Sequence, residues 1–363
     1  MQQNLVNDTP TPKRNYEFVD AIRCIAMISI VADHSISIYE GGYKPTDNLS
    51  NIVFATLVQL VKFGTINFFL LAGFLIGEKF TDYSPLEYLS RRVKNTFAPW
   101  VFWSLFFFAV KIVTDFITAY RFNHGHLDEN YGASIIDHLK SIYLYSSYWF
   151  IPNFLCCITI LLIFRKHLYS YFLGMIFLAF TISYIINIYA KWIEPRHSTA
   201  ILGFVFFLWL GAQFNRNLTS IENWLQKTTV FIWIGAGILA IIWGVKETFL
   251  LESMHSVDPY NSLRISNIFY SLICFFLLLK IKSFKWVNYL KPRETTYGIY
   301  LIHAILVANV LPEIFRSIRN NIVKLPLPEV VGYQFLRFVM VYGVTVAIVK
   351  LINATRFKWS IGR

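Results

Sequence analysis

Apolar residues run along this chain in blocks of about 18 to 23, the length a helix needs to cross a hydrocarbon core. The blocks fall near residues 18–38, 52–77, 97–119, 148–165, 168–190, 198–214, 229–250, 263–280, 296–315 and 332–352, with short polar connections between them. The pattern predicts an all-α, polytopic integral membrane protein of about ten transmembrane helices. Residues 1–17 and 353–363 are read as polar tails, and 18–352 as one transmembrane domain.

Composition supports that class. Of 363 residues, 56% are hydrophobic, 18% aromatic and only 15% charged, with a mean hydropathy of +0.49, which excludes a soluble protein of this size. The net charge of +12 does not point to nucleic acid, because the Lys and Arg sit in short segments between apolar blocks. Sorted by alternate connections, they favour one side by roughly two to one. That side holds Lys13, Arg14, Lys79, Arg91, Arg92, Lys94, Lys291 and Arg293 among others. Both termini are therefore expected in the cytoplasm. The first 17 residues lack a secretory signal's apolar core, so the first span is expected to be retained. Cys24, Cys156, Cys157 and Cys274 lie inside apolar spans without metal-ligand spacing and read as packing residues.

Charge within the spans changes the picture more than charge between them. The first span, FVDAIRCIAMISIVADHSISIY, carries Asp20, Arg23, Asp33 and His34, and a charge at the bilayer centre costs roughly 2.5–3.5 kcal/mol on insertion scales. Arg23 and His34 are separated so that they fall within about 20° of one helix face and roughly 16 Å apart along it. The plainer reading is a snorkelling Arg23 and a packing His34; the pairing favours function. Lys111 and Arg337 are expected to snorkel to an interface, and Lys62 is left open between snorkelling and lining a polar interior. Arg91 and Arg92 read either as topology markers or as forks that match phosphate geometry. In TTYGIYLIHAIL, Tyr297, Tyr300 and His303 recur at helical spacing, which makes His303 the second intramembrane histidine. Pro99 marks a helix start or kink.

The connection at 120–147 contains His124, His126, Asp128, Glu129, Asp137 and His138. Its spacing does not match a helical metal-ligand pair, and its amphipathic IIDHLKSIYLY suggests a lid or re-entrant segment. Glycine-rich phosphate loops and Walker patterns are absent.

Several stretches together resemble one family. FVDAIRCIAMISIVADH is similar to the first-helix signature of membrane acyltransferase family 3, an Arg followed by ten residues and a His. INFFLLAGFLIGEK resembles its second-helix ending, with Ala72 where Ser is common. YLSRRVKNTFAPW resembles its basic segment, and SSYWFIPNFLCCI and TTYGIYLIHAIL its Trp-containing and Tyr-x-x-His helices. The likeness is strongest to members that O-acetylate bacterial surface polysaccharides such as enterobacterial common antigen. It implies a ten-helix domain in the bacterial cytoplasmic membrane, a cytosolic acyl-coenzyme A donor such as acetyl-coenzyme A, no bound cofactor or metal, and a glycan or lipid-linked glycan as acceptor. The chain ends directly after the last span, so the extra esterase-like domain of some relatives is not expected.

Acyl transfer from a thioester to a hydroxyl needs a base or a nucleophile and stabilisation of the oxyanion. His34 is the candidate base or transient acyl carrier, with Asp33 orienting a partner and Arg23 assisting. Arg23, Arg91 and Arg92 are the candidates for holding donor phosphates or shaping the donor mouth, and Trp149, Tyr300 and His303 for lining the substrate cavity. A transporter or flippase for a lipid-linked intermediate is the competing reading, because intramembrane Arg and His also mark transport paths.

Overall fold

The computed structural model describes residues 16–36, 47–79, 84–122, 124, 126, 131–316, 318, 322 and 325–363. Among them the chain is predominantly helical, with no strand. Helix α1 spans Glu17–Ser35, α2 Asn48–Val61, α3 Gly64–Lys79, α4 Pro85–Arg92, α5 Ala98–Phe122, α6 Tyr131–Lys140 and α7 Phe150–Ile163. They are followed by α8 at Tyr171–Ala190, α9 at Val205–Arg216, α10 at Leu218–Gln226, α11 at Val230–Ser253 and α12 at Ile265–Ile281. The last four are α13 at Val287–Leu290, α14 at Pro292–Ile305, α15 at Leu311–Ile314 and α16 at Leu327–Asn353.

Six helical stretches among the described residues are long and apolar enough to cross a bilayer, and a seventh forms if residues 131–145 and 147–163, bent by 62°, count as one span. The expected count of ten is therefore not reproduced by length and polarity alone. The shortfall has a physical cause. Helix α1 carries Asp20, Arg23 and Asp33, α9 is 12 residues long and α12 is 17. These three pack inside the protein, where polar groups find partners and a full bilayer length is not required. The bend at Ser146 accords with the expectation that 131–145 is more than a loop.

Helix α1 is the centre of the bundle. It packs against α2, α3, α12, α14 and α16, and its buried side chains are shared between two apolar clusters. Phe18, Val19 and Ile22 join the first, built on α3, α7, α8, α9 and α12. Met27 and Val31 join the second, built on α5, α14 and α16. Large apolar side chains elsewhere, such as Phe231 on α11 and Leu351 on α16, point outward, the arrangement of a protein solvated by lipid.

The most extensive helix contact among the described residues is between α3 and α9. Gly73 lies against the Leu208 carbonyl and Gly211 against the Leu70 carbonyl, so that a methyl group at either position would collide with backbone. Small residues that let backbones approach are the usual adhesive between helices in lipid, where hydrophobic burial supplies no driving force. Helix starts follow local chemistry: Asp47 accepts the Ser50 amide at 2.9 Å, and Ser84 caps α4 with Pro85 next to it.

Two features depart from the polarity pattern. Arg337 does not snorkel; it is 1% exposed, with its guanidinium over the Tyr333 ring at 5.5 Å. Arg264 is fully buried and ties three helices, donating to Gln59 Oε1 at 2.6 Å, to the Gly244 carbonyl at 3.1 Å and to the Thr248 hydroxyl. Beside it the buried Glu247 carboxylate accepts the Ile265 and Ser266 amides at 3.1 and 3.0 Å. That places a negative group at the N-terminus of α12, where the exposed helix amides favour it. Before Pro99 the chain makes one π-helical turn, Val93–Phe97, and the Tyr297 hydroxyl donates to the Thr96 carbonyl there.

Candidate functional site

The charges of α1 are distributed between its two ends. Asp20 lies in its first turns and accepts Arg23 Nη1 at 3.1 Å and Arg293 Nε at 2.9 Å. Arg293 belongs to the first turn of α14, so this contact joins the starts of the two helices and they run parallel. Arg92, at the end of α4, is close enough for its charge to act on Arg23. Its Nε donates to the Tyr88 hydroxyl at 3.0 Å, and its guanidinium lies over the Tyr88 ring. That leaves its two terminal nitrogens without a hydrogen-bond partner among the described residues. Two guanidiniums thus share the Asp20 carboxylate and a third, Arg92, stands within electrostatic reach of Arg23, a grouping suited to an anion with several oxygens. Arg91 points away: it pairs with Glu87 at 2.9 Å on the surface of α4, the geometry of an ordinary helix ion pair. Of the two adjacent arginines only Arg92 belongs to the cluster.

At the other end of α1, Asp33 takes the Lys62 ammonium at 3.1 and 2.8 Å, with side-chain exposures of 16% and 10%. The chain breaks between α2 and α3 at Lys62 and Phe63, so the lysine sits where a helix has lost its continuity. Its carbonyl is taken by Asn267 Nδ2 at 3.4 Å. Lys62 therefore does not snorkel; it is the partner of Asp33.

His34 meets His303 on the parallel helix α14. Nδ1 of His34 is 2.8 Å from Nε2 of His303, and the two ring planes are within 5° of parallel. His303 is fully buried, and its Nδ1 is 2.9 Å from the Ile299 carbonyl one turn earlier. A carbonyl can only accept, so the His303 proton is on Nδ1 and its Nε2 is the acceptor. His34 must then donate from Nδ1, which leaves the lone pair of its Nε2 open. No described residue hydrogen-bonds to that nitrogen. A neutral imidazole with one nitrogen oriented and the other open can take a proton or hold an acyl group.

The remaining expected residues assemble around this pair. Tyr300 is buried, donates to the Ser147 carbonyl at 2.8 Å and has its ring 6.2 Å from that of His303. The Tyr148 hydroxyl reciprocates on the Leu301 carbonyl at 2.6 Å, fastening the start of α7 to α14. Trp149 lies one residue further, packed against His197 and Phe204 with ring centroids 5.3 and 5.5 Å away. The structure therefore brings His34, Asp33, His303, Tyr300 and Trp149 to one end of the bundle, with Arg23 and Arg92 at the other. Within the 120–147 connection, His138 pairs with Asp115 at 2.6 Å; Asp128 and Glu129 lie outside the described residues.

The sequence marked Asp20 only as a charge within the first span and Arg293 only as a topology marker, and it gave neither a place in the site; His197 it did not mark at all. For Asp20 the signal was its spacing three residues before Arg23, one helical turn. For the other two the sequence carried none.

A family profile described as an acyltransferase domain matches residues 16–352, nearly the whole helical bundle. No curated protein and no solved structure matches the chain.

Proposed function

This chain belongs to acyltransferase family 3, and from that premise we propose that it is an O-acetyltransferase that moves acetyl from cytosolic acetyl-coenzyme A to a hydroxyl of a cell-surface glycan or glycolipid. It is a multi-pass membrane protein with acyltransferase character; the donor, the acceptor and residence in a bacterial cytoplasmic membrane are parts of the proposal. The charge bias of the connections supports placing the Arg23 end of α1 at the cytoplasm, where a nucleotide-bearing donor arrives. Arg23, Arg92 and Arg293 then hold its phosphates, and the thioester arm lies along α1 toward His34, roughly 16 Å away.

The observation that carries the reading is the hydrogen bond from His34 to His303, which leaves His34 Nε2 basic. In the transfer, Nε2 accepts the proton of the acceptor hydroxyl as its oxygen attacks the thioester carbonyl. The C–S bond breaks, and the departing thiolate takes the proton back from the imidazolium. His303 acts through His34 as a positioning residue, as the third member of a hydrolase triad does. The Lys62–Asp33 pair holds the end of α1 against α2. The same lone pair serves equally in a two-step relay, in which Nε2 attacks first and an acyl-imidazole passes the group on.

The test is transfer of radiolabelled acetyl from acetyl-coenzyme A to surface glycan by membranes holding the protein. His34→Ala should abolish it with the protein still inserted. Full activity in that variant overturns the assignment. Label retained on the protein when acceptor is withheld identifies the relay, and its absence identifies direct transfer.

A further inference from the structure

At the His34 end of the bundle a cavity of about 190 Å³ opens between the connection that follows α8 and the one that precedes α12. Tyr145, Trp149, Arg196, His197 and Asp258 wall it, and Val257 stands at its rim. We propose that this cavity seats one pyranose ring of the acceptor. The proposal rests on the reading of the protein as a glycan acyltransferase and adds to it where the sugar sits and which groups recognise it.

The cavity is built in advance by contacts that a ligand need not supply. His197 Nε2 accepts the Ser262 amide at 3.2 Å, and its Nδ1 faces Asp258 Oδ2 at 3.3 Å. Asn261 Nδ2 donates to the Pro195 carbonyl at 3.0 Å and to the same Asp258 oxygen at 3.0 Å. Arg196 Nη2 is held by Glu194 at 2.6 Å, and the Arg196 carbonyl accepts the Tyr184 hydroxyl at 2.6 Å. Both ring nitrogens of His197 are thereby committed, so this histidine shapes the cavity and is neither a metal ligand nor a base.

What the contacts leave unused is specific. Asp258 spends Oδ2 twice, and its Oδ1 has no partner among the described residues. The Trp149 indole N–H and Arg196 Nη1 donate to no described residue. A carboxylate oxygen and two donors left unused in one partly aromatic lining match a sugar ring, whose hydroxyls donate and accept and whose C–H faces are apolar. The volume falls below the ~300–1,000 Å³ of pockets for drug-sized ligands, which limits the occupant to a single ring.

Position connects the cavity to the chemistry. Trp149 adjoins Phe150, whose ring lies 5.7 Å from that of Tyr300, and Tyr300 neighbours His303. Lys62 and His197 both lie within electrostatic reach of His34. A ring seated against Trp149 and His197 therefore lies at the mouth of the imidazole pair.

Saturation-transfer NMR on the full chain in lipid nanodiscs tests this, with methyl glycosides of hexoses, N-acetylhexosamines and uronic acids as probes. At least one glycoside should receive magnetisation from the protein, and both Asp258→Asn and Val257→Trp should reduce the signal at least fivefold. Val257 is exposed at the rim, so the tryptophan fills the cavity without touching the His197 contacts; an unchanged melting temperature checks that the variant is folded. No transfer to any glycoside, or undiminished transfer in the folded Val257→Trp protein, overturns the proposal. The acetyl-transfer assay separates the two readings. Glycoside binding without acetylation removes the acyltransferase assignment and keeps the cavity. Acetylation whose acceptor KM is the same in Val257→Trp keeps the assignment and removes the cavity.

Discussion

His303 Nε2 lies 2.8 Å from His34 Nδ1 while its own Nδ1 lies 2.9 Å from the Ile299 carbonyl. A main-chain carbonyl on α14 thereby decides which nitrogen of a histidine on α1 is basic. The relay works because both rings are neutral and His303 commits both its nitrogens while His34 commits only Nδ1.

Removing the relay should separate catalysis from binding. His303→Ala is expected to lower kcat on the order of 10²-fold, the range of a positioned acid–base group, with KM for acetyl-coenzyme A unchanged. His303→Gln keeps an amide oxygen that can accept from His34 Nδ1, and it should recover part of the loss. Steady-state kinetics on purified protein checks both. Equal activity of wild type and His303→Ala would show that the hydrogen bond is only structural.

The adjacent arginines should behave differently. Arg92→Ala removes a guanidinium from the cluster with Arg23 and Arg293 and is expected to raise KM for acetyl-coenzyme A about tenfold, the equivalent of one charge-assisted hydrogen bond. Arg91 is engaged by Glu87 on the surface, and Arg91→Ala should leave that KM nearly unchanged. The ratio of the two KM values is the readout.

Lys62→Met should destabilise the protein by up to about 3 kcal/mol, because it strands the Asp33 carboxylate in a largely enclosed site. Lys62→Met combined with Asp33→Asn should recover most of that loss. Thermal unfolding of the four proteins in one detergent completes the cycle. A loss in the double variant equal to the sum of the two single losses would mean that the pair is not coupled.

Gly73→Ala should be far more harmful than Ala72→Ser, though both lie in one motif. The first drives a methyl group into the Leu208 carbonyl where α3 and α9 touch, and overpacking of this kind costs about 1–3 kcal/mol. The second adds a hydroxyl at a half-buried position. Yield of monodisperse protein and its melting temperature measure the difference.

His197 lies in the connection between α8 and α9, outside the membrane-spanning helices, and its pKa is held below the ordinary imidazole value. Burial is the chief cause and Lys62 adds to it, while Asp258 and Asp33 oppose them. The sign follows from linkage. Below about pH 6.5 the unfolded ring takes up a proton that the folded ring resists. The stability associated with the neutral ring is therefore present above that value and lost as pH falls toward the folded pKa. Amide exchange in 196–199 and 257–262, corrected for intrinsic rates, should accelerate between roughly pH 7.5 and 5.5. In His197→Gln this pH dependence should vanish; if it persists, another group is responsible.

Much of the site was legible because charge in an apolar span is conspicuous. Arg23, Asp33, His34 and His303 stand out against residues that lipid tolerates, and a helix's angular period places Arg23 and His34 on one face. Arg337 shows where that logic stops: polarity alone suggested an interface, whereas neighbouring helices bury it completely. Arg91 and Arg92 show the same limit, since adjacent helix positions point about 100° apart and only the packing of α4 chooses which of them meets Arg23.

By itself the sequence determined the class of the protein, its helical character and the two intramembrane histidines, His34 and His303, as candidates. These follow from local properties, hydropathy over a span and angular spacing along one helix. Only the tertiary structure decided that α1 and α14 run parallel with Asp20 on Arg293 and His34 on His303, that Lys62 is the partner of Asp33, and that Trp149, His197 and Asp258 share one cavity. Residues far apart in the chain carry no record of which of them will touch. Contact is set by how whole helices pack, and in lipid that packing turns on close approaches such as Gly73 on Leu208 more than on the polarity that a sequence displays.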